Sequence, residues 1–143
     1  MAEITIARHS ISDHPHDRLT QAGVDYAISQ RNKFNRHKIV VCSPRVRTQQ
    51  TAEALGYSRY EIDERLAEFE ASDINEPTAS EYVLKLHEVY PDQMKEYAQK
   101  LLAAMRYYGQ KNNALLISHN AIMSATVQLL SQSNEIKTFG YLE

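Results

Sequence analysis

The sequence contains a single cysteine, Cys42, which excludes an intrachain disulfide and fits a reducing compartment. Set in an apolar run, that cysteine is expected to be a small buried hydrophobe. Basic residues are not in excess, since 16 Lys and Arg against 18 Asp and Glu leave a formal charge of -2. This argues against a general nucleic-acid binder, and any attraction for an anion must be local. Also missing is a run approaching the roughly 20 apolar residues that span a bilayer. The first residues, MAEITIARHS, hold no basic region followed by a long apolar one. The expectation is a cytoplasmic protein with no membrane and no nucleic-acid partner. There are no repeats, low-complexity tracts or linkers, and 143 residues suit one domain, 1–143, with a hydrophobic core.

What is present is a design used three times: an apolar run that ends in polar residues. Ile4 to Ser12 reads ITIARHSIS, Val40 to Ala52 reads VVCSPRVRTQQTA, and Leu115 to Ala121 reads LLISHNA. A short β-branched run suits a buried strand. In open parallel α/β sheets, ligands bind at the carboxyl ends of strands. A lone Arg-His pair would be an ordinary surface turn. Three such strand ends instead aim Arg8, His9, Arg47 and His119 at one point, two fixed cations and two imidazoles, which is a site for a dianion.

These residues resemble the histidine phosphatase superfamily, which includes the cofactor-dependent phosphoglycerate mutases and many small phosphatases. The resemblance covers nearly the whole chain. The family's Arg-His-Gly is matched by Arg8-His9-Ser10, its Leu-Thr-x-x-Gly by Leu19-Thr20-Gln21-Ala22-Gly23, and its Ser-x-x-x-Arg-Ala-x-x-Thr-Ala by Ser43 through Ala52. Leu66-Ala67-Glu68 matches a Leu-x-Glu, and Ser118-His119-Asn120 a Ser-His-Gly. Ser10 and Asn120 stand where the family usually has glycine, so the backbone there must accept a side chain or use asparagine's tolerance of left-handed geometry. The Glu and Asn that many members carry after the first histidine are Ile11 and Pro15 here, and Glu68 is followed by Phe69-Glu70-Ala71-Ser72 rather than a glycine and tryptophan pattern.

Two other chemistries are weighed against this one. A cysteine nucleophile needs an arginine six positions on, and six after Cys42 is Thr48, in a loop without glycine. In SDHPHDR, His14 and His16 with Asp13 and Asp17 have metal-ligand chemistry, but consecutive polar residues broken by Pro15 read as a solvated loop. His14 or His16 would then line the pocket mouth, and no metal or other cofactor is expected.

The pattern places a helix from Thr20, its cap, to about Asn32, with Val24, Ala27 and Ile28 on the face covering the sheet. Lys38–Ser43 is expected as a strand. Ser43 then caps a helix with Pro44 at its first position and Arg47 in its first turn, where the free amides add to the pull on phosphate. Arg45 is expected to face solvent, as are His37 and His87. Tyr60–Asp63 reads as a short strand, and 69–79 as an irregular segment of the kind that covers active sites. Helices follow over Ser80–Tyr90, on Tyr82, Val83, Leu86 and Val89, and from Pro91 to a cap at Gly109. Ala114–Ser118 is a strand, Ala121–Leu130 a helix, and IKTFGYLE an added edge strand. Alternating strands and helices make this an α/β protein, a three-layer α/β/α sandwich with a mainly parallel sheet; the resemblance implies the same, phosphoglycerate mutase-like fold.

For phosphoryl transfer, a neutral imidazole flanked by cations suits attack on a dianion, so His9 is the expected nucleophile. Arg8, Arg47 and His119 would bind the phosphate oxygens. Glu68, or failing that Glu70, would protonate the leaving oxygen and then take a proton from water. The expected activity is hydrolysis of a phosphomonoester through a phosphohistidine. The alternatives are a protein phosphohistidine phosphatase, a mutase-type phosphotransferase, and a non-catalytic phosphate-binding module. The partner is thus a phosphorylated small molecule or a phosphohistidine protein; the oligomeric state is not legible.

Overall fold

The computed structural model describes residues 4–13, 17–69, 71, 73–74, 76, 78–110 and 113–131. Within them the chain forms β1 (Ile4–Arg8), α1 (Gln21–Ser29), α2 (Arg31–Phe34), β2 (Ile39–Cys42), α3 (Val46–Ala54) and β3 (Glu61–Ile62). A 3-10 turn at Glu64–Leu66 leads on to α4 (Ala79–Val89), α5 (Pro91–Tyr108), β4 (Ala114–Ser118) and α6 (Asn120–Ser131). The four strands form one parallel sheet in the order β1-β4-β2-β3. The three strands that carry the site motifs are therefore neighbours, and they end at one level, with Arg8 beside Ser118 and Cys42 beside Ile117.

Sheet side chains alternate between two cores. Ala7, Val40, Cys42, Leu115 and Ile117 pack with Ala27, Phe34, Ala52 and Leu55, from α1, α2 and the α3 end. Val41, Ala114 and Leu116 pack with Val83, Leu86, Met94, Leu101 and Ile122, from α4, α5 and α6. Helices cover both faces, and β4, at the centre of the sheet, is buried at all five positions. Such burial on two sides is why ALLIS is an unbroken apolar run ending in serine.

Several boundaries differ from expectation for physical reasons. Thr20 does cap α1, its side chain accepting from the Gly23 amide, but the helix breaks at Gln30 and resumes as α2. Ile28 is exposed, while Gly23 and Ala27 face the interior. Pro91 is the first residue of α5, and Gly109 caps it with φ -63, so no left-handed turn is needed. Val89 is exposed, and His37 and His87 are half-buried rather than at the surface: each ring Nδ1 sits near a main-chain oxygen, of Phe34 and Val83 respectively. The edge strand expected in IKTFGYLE lies outside the described residues. Among the described residues, no helix is long and apolar enough to cross a membrane.

Candidate active site

The site gathers at the carboxyl ends of β1, β4 and β2. Arg8 ends β1, and the His9 amide donates to the Ser118 carbonyl at 3.2 Å, which continues the β1–β4 ladder by one bond and fixes where His9 leaves the sheet. The next amide, Ser10, donates to Thr51 Oγ1 at 3.0 Å, and that hydroxyl donates to the Arg47 carbonyl one turn back. The four-residue spacing of Arg47 and Thr51 thus ties the turn after β1 to α3. Ser10 Oγ donates to the Gly23 carbonyl at 2.7 Å. Asn120 opens α6, and among the described non-glycine residues only Asn113 has positive φ. The side chains at positions 10 and 120 are therefore accepted on ordinary backbone.

Glu68 is carried in by the 3-10 turn. Ser118 Oγ donates to the carbonyl of Leu66, itself fully buried, and Phe69 packs edge-on against Tyr90 and Tyr97, with ring centroids 5.1 and 5.6 Å away. The residues on both sides of Glu68 are thereby held, and the tyrosines serve packing.

Arg8, His9, Arg47 and His119 are all buried, and Glu68 nearly so. The His9 and His119 rings meet edge to face with centroids 5.4 Å apart. His9 Nδ1 lies 2.7 Å from the Ser10 carbonyl oxygen, which can only accept, so Nδ1 carries the proton and Nε2 holds a lone pair. Burial, then the facing His119, then the charges of Arg8 and Arg47 push the His9 imidazole from its ordinary 6.5 down to about 3, against the opposing pull of the Ser10 carbonyl. The ring is neutral at physiological pH.

His119 Nδ1 stands 2.9 Å from Glu68 Oε2, and its Nε2 shares a hydrogen bond with Ser43 Oγ at 2.8 Å. Arg47 Nη2 donates to the same Glu68 oxygen at 2.9 Å and lies 3.3 Å from His119 Nδ1. Burial would raise the Glu68 carboxyl. The hydrogen bond from His119, with the charge of Arg47, outweighs burial and holds it down at about 2. Glu68 is thus an ionised carboxylate seated between the two groups that face it.

Three expectations are corrected. Ser43 and Pro44 do not begin the helix: α3 starts at Val46, its cap residue Arg45 makes no side-chain cap bond, and Ser43 Oγ turns to His119 instead. The amino end of α3 is not open to phosphate either. Asp17 Oδ2 accepts from the Val46 amide at 2.8 Å, and Asp17 Oδ1 from the Arg47 amide at 3.1 Å and from Arg47 Nη1 at 2.9 Å. Burial raises this carboxyl, but the two amides and Arg47 together hold it below the usual range. Arg45 is partly buried rather than facing solvent. Asp17 and Ser43 are the site residues that sequence reasoning missed. Nothing in SDHPHDR distinguishes Asp17 from Asp13, which pairs with Arg18.

His14, His16 and Glu70 lie outside the described residues. Among the described residues, no cluster of three or more His, Cys, Asp or Glu is arranged to hold a metal. Cys42 is buried, and desolvation, with a smaller contribution from Glu53, pushes its thiol up to about 12, which leaves it inert as a nucleophile.

The protein is thus of the parallel α/β class, with two imidazoles and two guanidiniums gathered at the carboxyl edge of its sheet. The sequence model of the histidine phosphatase superfamily (branch 1) matches residues 4–139, and the chain belongs to that family. No curated protein matches the chain in sequence. Solved structures share its fold. YhfR of Bacillus stearothermophilus superposes with a TM-score of 0.71 at 17% identity, covering 97% of this chain and 86% of its own. A phosphoserine phosphatase of Entamoeba histolytica, in complex with 3-phosphoglyceric acid, gives 0.69 at 16%, covering 92% and 81%. A mycobacterial glucosyl-3-phosphoglycerate phosphatase in complex with VO3 gives 0.62 at 15%, covering 89% and 80%.

Proposed function

We propose that the protein is a phosphatase that hydrolyses a phosphomonoester through a phosphohistidine on His9. The observation that carries this reading is the bond from His9 Nδ1 to the Ser10 carbonyl, which leaves Nε2 as a lone pair on a neutral, buried ring facing the second histidine. The phosphate is held by Arg8, Arg47 and His119 while Nε2 attacks phosphorus and the bond to the ester oxygen breaks. Glu68 gives that oxygen its proton. As a carboxylate it then takes a proton from the water that attacks the phosphohistidine.

In the resting site Glu68 has no proton to give. An incoming dianion competes with it for Arg47 and His119, and each bond lost removes what holds the carboxyl down, so on substrate binding Glu68 takes up a proton from solvent and becomes the acid. Because Arg8 and Arg47 supply fixed positive charge, the scheme requires no metal. Phosphorylated small molecules are the substrate class in the names of the two like-folded phosphatases, and this supports the same class here.

The ionised state of Glu68 also favours a second reading, a protein phosphohistidine phosphatase. An imidazole leaving group carries its own proton before the bond to phosphorus breaks and makes little demand on an acid. The test of both begins with the intermediate. Rapid quenching without acid, during turnover of a labelled phosphate substrate, is expected to trap label that survives alkali and is lost in acid, and His9→Ala is expected to abolish it. Label that persists in the variant removes His9 from the role.

A further inference from the structure

The chain after His9 reads in sequence as a solvated loop, yet its Asp17 makes three bonds to one turn of α3. Two satisfy the amides of Val46 and Arg47, which have no partner within the helix; the cap residue Arg45 does not supply one. A helix cap alone would account for those two. The third goes to Arg47 Nη1, on the buried side chain whose other nitrogen, Nη2, reaches Glu68 and stands beside His119. A guanidinium is a rigid planar fork. Tying Nη1 and the Arg47 main chain to one carboxylate therefore sets the direction in which Nη2 points. The stem of the loop is itself fixed: Ser12 and Leu19 bridge, the Asp13 amide donates to the Arg18 carbonyl at 2.8 Å, and the Leu19 amide donates to Gln50 Oε1 on α3 at 2.7 Å.

We infer that Asp17 is a positioning residue, which anchors Arg47 by main chain and guanidinium together and fills the amino end of α3, so that a substrate phosphate meets the Nη2 edge of Arg47 and not the helix end. The catalytic consequence rests on the phosphatase reading; the anchoring does not.

A double-mutant cycle in the full chain tests it, with Asp17→Asn, Arg47→Lys and both together. Asparagine keeps the size and one acceptor oxygen, which protects folding. Lysine keeps the charge of Arg47 but has no fork to orient. On nitrophenyl phosphate, Asp17→Asn is expected to lower kcat about 10-fold or more, with a smaller change in KM. Added to Arg47→Lys, it is expected to cost less than about 2-fold further. Losses that multiply, or a falling thermal midpoint with kcat unchanged, overturn the positioning role and leave Asp17 as a helix cap. The same cycle on the dissociation constant of inorganic phosphate, by calorimetry, reads the coupling without turnover. If the wild type binds phosphate and hydrolyses no phosphomonoester, the phosphatase reading fails; non-additive affinities then still uphold Asp17 as the anchor, and additive ones overturn it.

Discussion

Glu68 stands at the point where the resting site and the working site differ. Its carboxylate occupies Arg47 Nη2 and His119 Nδ1, both of which the proposed mechanism turns toward phosphate. The leaving group reports whether Glu68 becomes an acid once displaced. An alkoxide leaves poorly without a proton, so Glu68→Gln is expected to slow phosphoenzyme formation about 10²- to 10⁴-fold on an alkyl phosphate. A nitrophenolate needs little help, and the loss there is expected to be small. Measuring the burst phase keeps slowed hydrolysis of the intermediate out of the comparison. Equal losses on both substrates would show that Glu68 binds or holds structure. A near-silent effect on a phosphohistidine peptide, with the wild type preferring that peptide, would move the assignment to the second reading.

Among the elements, α1 carries a constraint that passes directly to the site. A Cβ at Gly23 would lie 2.0 Å from the Ile11 carbonyl oxygen and 3.0 Å from its carbon, both main chain and unable to step aside. Glycine is required here by close approach: Gly23 also accepts Ser10 Oγ, and the Thr20 amide donates to the same Ile11 oxygen. Gly23→Ala is expected to destabilise the protein by about 1–3 kcal/mol and to lower kcat as well, because the displaced chain leads straight back to His9. Urea unfolding and steady-state rates on one preparation check this; a variant of wild-type stability would show that α1 can shift away freely. In the sequence, Leu19-Thr20 and Gly23 were visible as a family motif, but the contact with Ile11 that requires the glycine was not. The central strand was legible for a different reason, since a chain buried on both faces writes an unbroken apolar run, and β4 falls where expected. Helix starts were less so: Ser43-Pro44 has the local chemistry of a cap, but the Ser43 hydroxyl is engaged by His119, Thr48 and the Arg45 amide, and the helix begins only at Val46.

Across the whole molecule, the convergence of Arg8, His9, Arg47 and His119 was readable because each of the three neighbouring strands announces its carboxyl end by a change from apolar to polar residues, whereas Glu68, which follows a 3-10 turn, was readable only through the family resemblance. Asp17 was not, because the path of a polar loop is set by what it finds across 29 or 30 residues of sequence, and no local pattern encodes that. Assembly of the site also shapes stability against pH. His9 is held neutral in the fold, at about 3, against 6.5 for the free side chain. Below 6.5 the unfolded chain therefore takes up a proton that the folded chain refuses, so stability is full above that value and is lost as pH falls toward 3. Glu68 acts in a lower window, since its contribution is present above the ordinary carboxylate range and is lost only as pH falls toward about 2. Between about pH 6 and pH 5 the His9 slope approaches the one-proton limit of about 1.4 kcal/mol per pH unit. Other histidines that the fold keeps neutral would add to the wild-type slope, so the quantity to measure is the difference between wild type and His9→Asn in urea unfolding free energy across that interval. The variant is expected to lose markedly less stability on acidification. Burial first, and then the neighbours His119, Arg8 and Arg47 that face the ring, oppose its protonation in the fold, and parallel slopes would mean that the fold does not hold His9 neutral. Its Nε2 would then be protonated under mildly acidic conditions and unable to attack phosphorus.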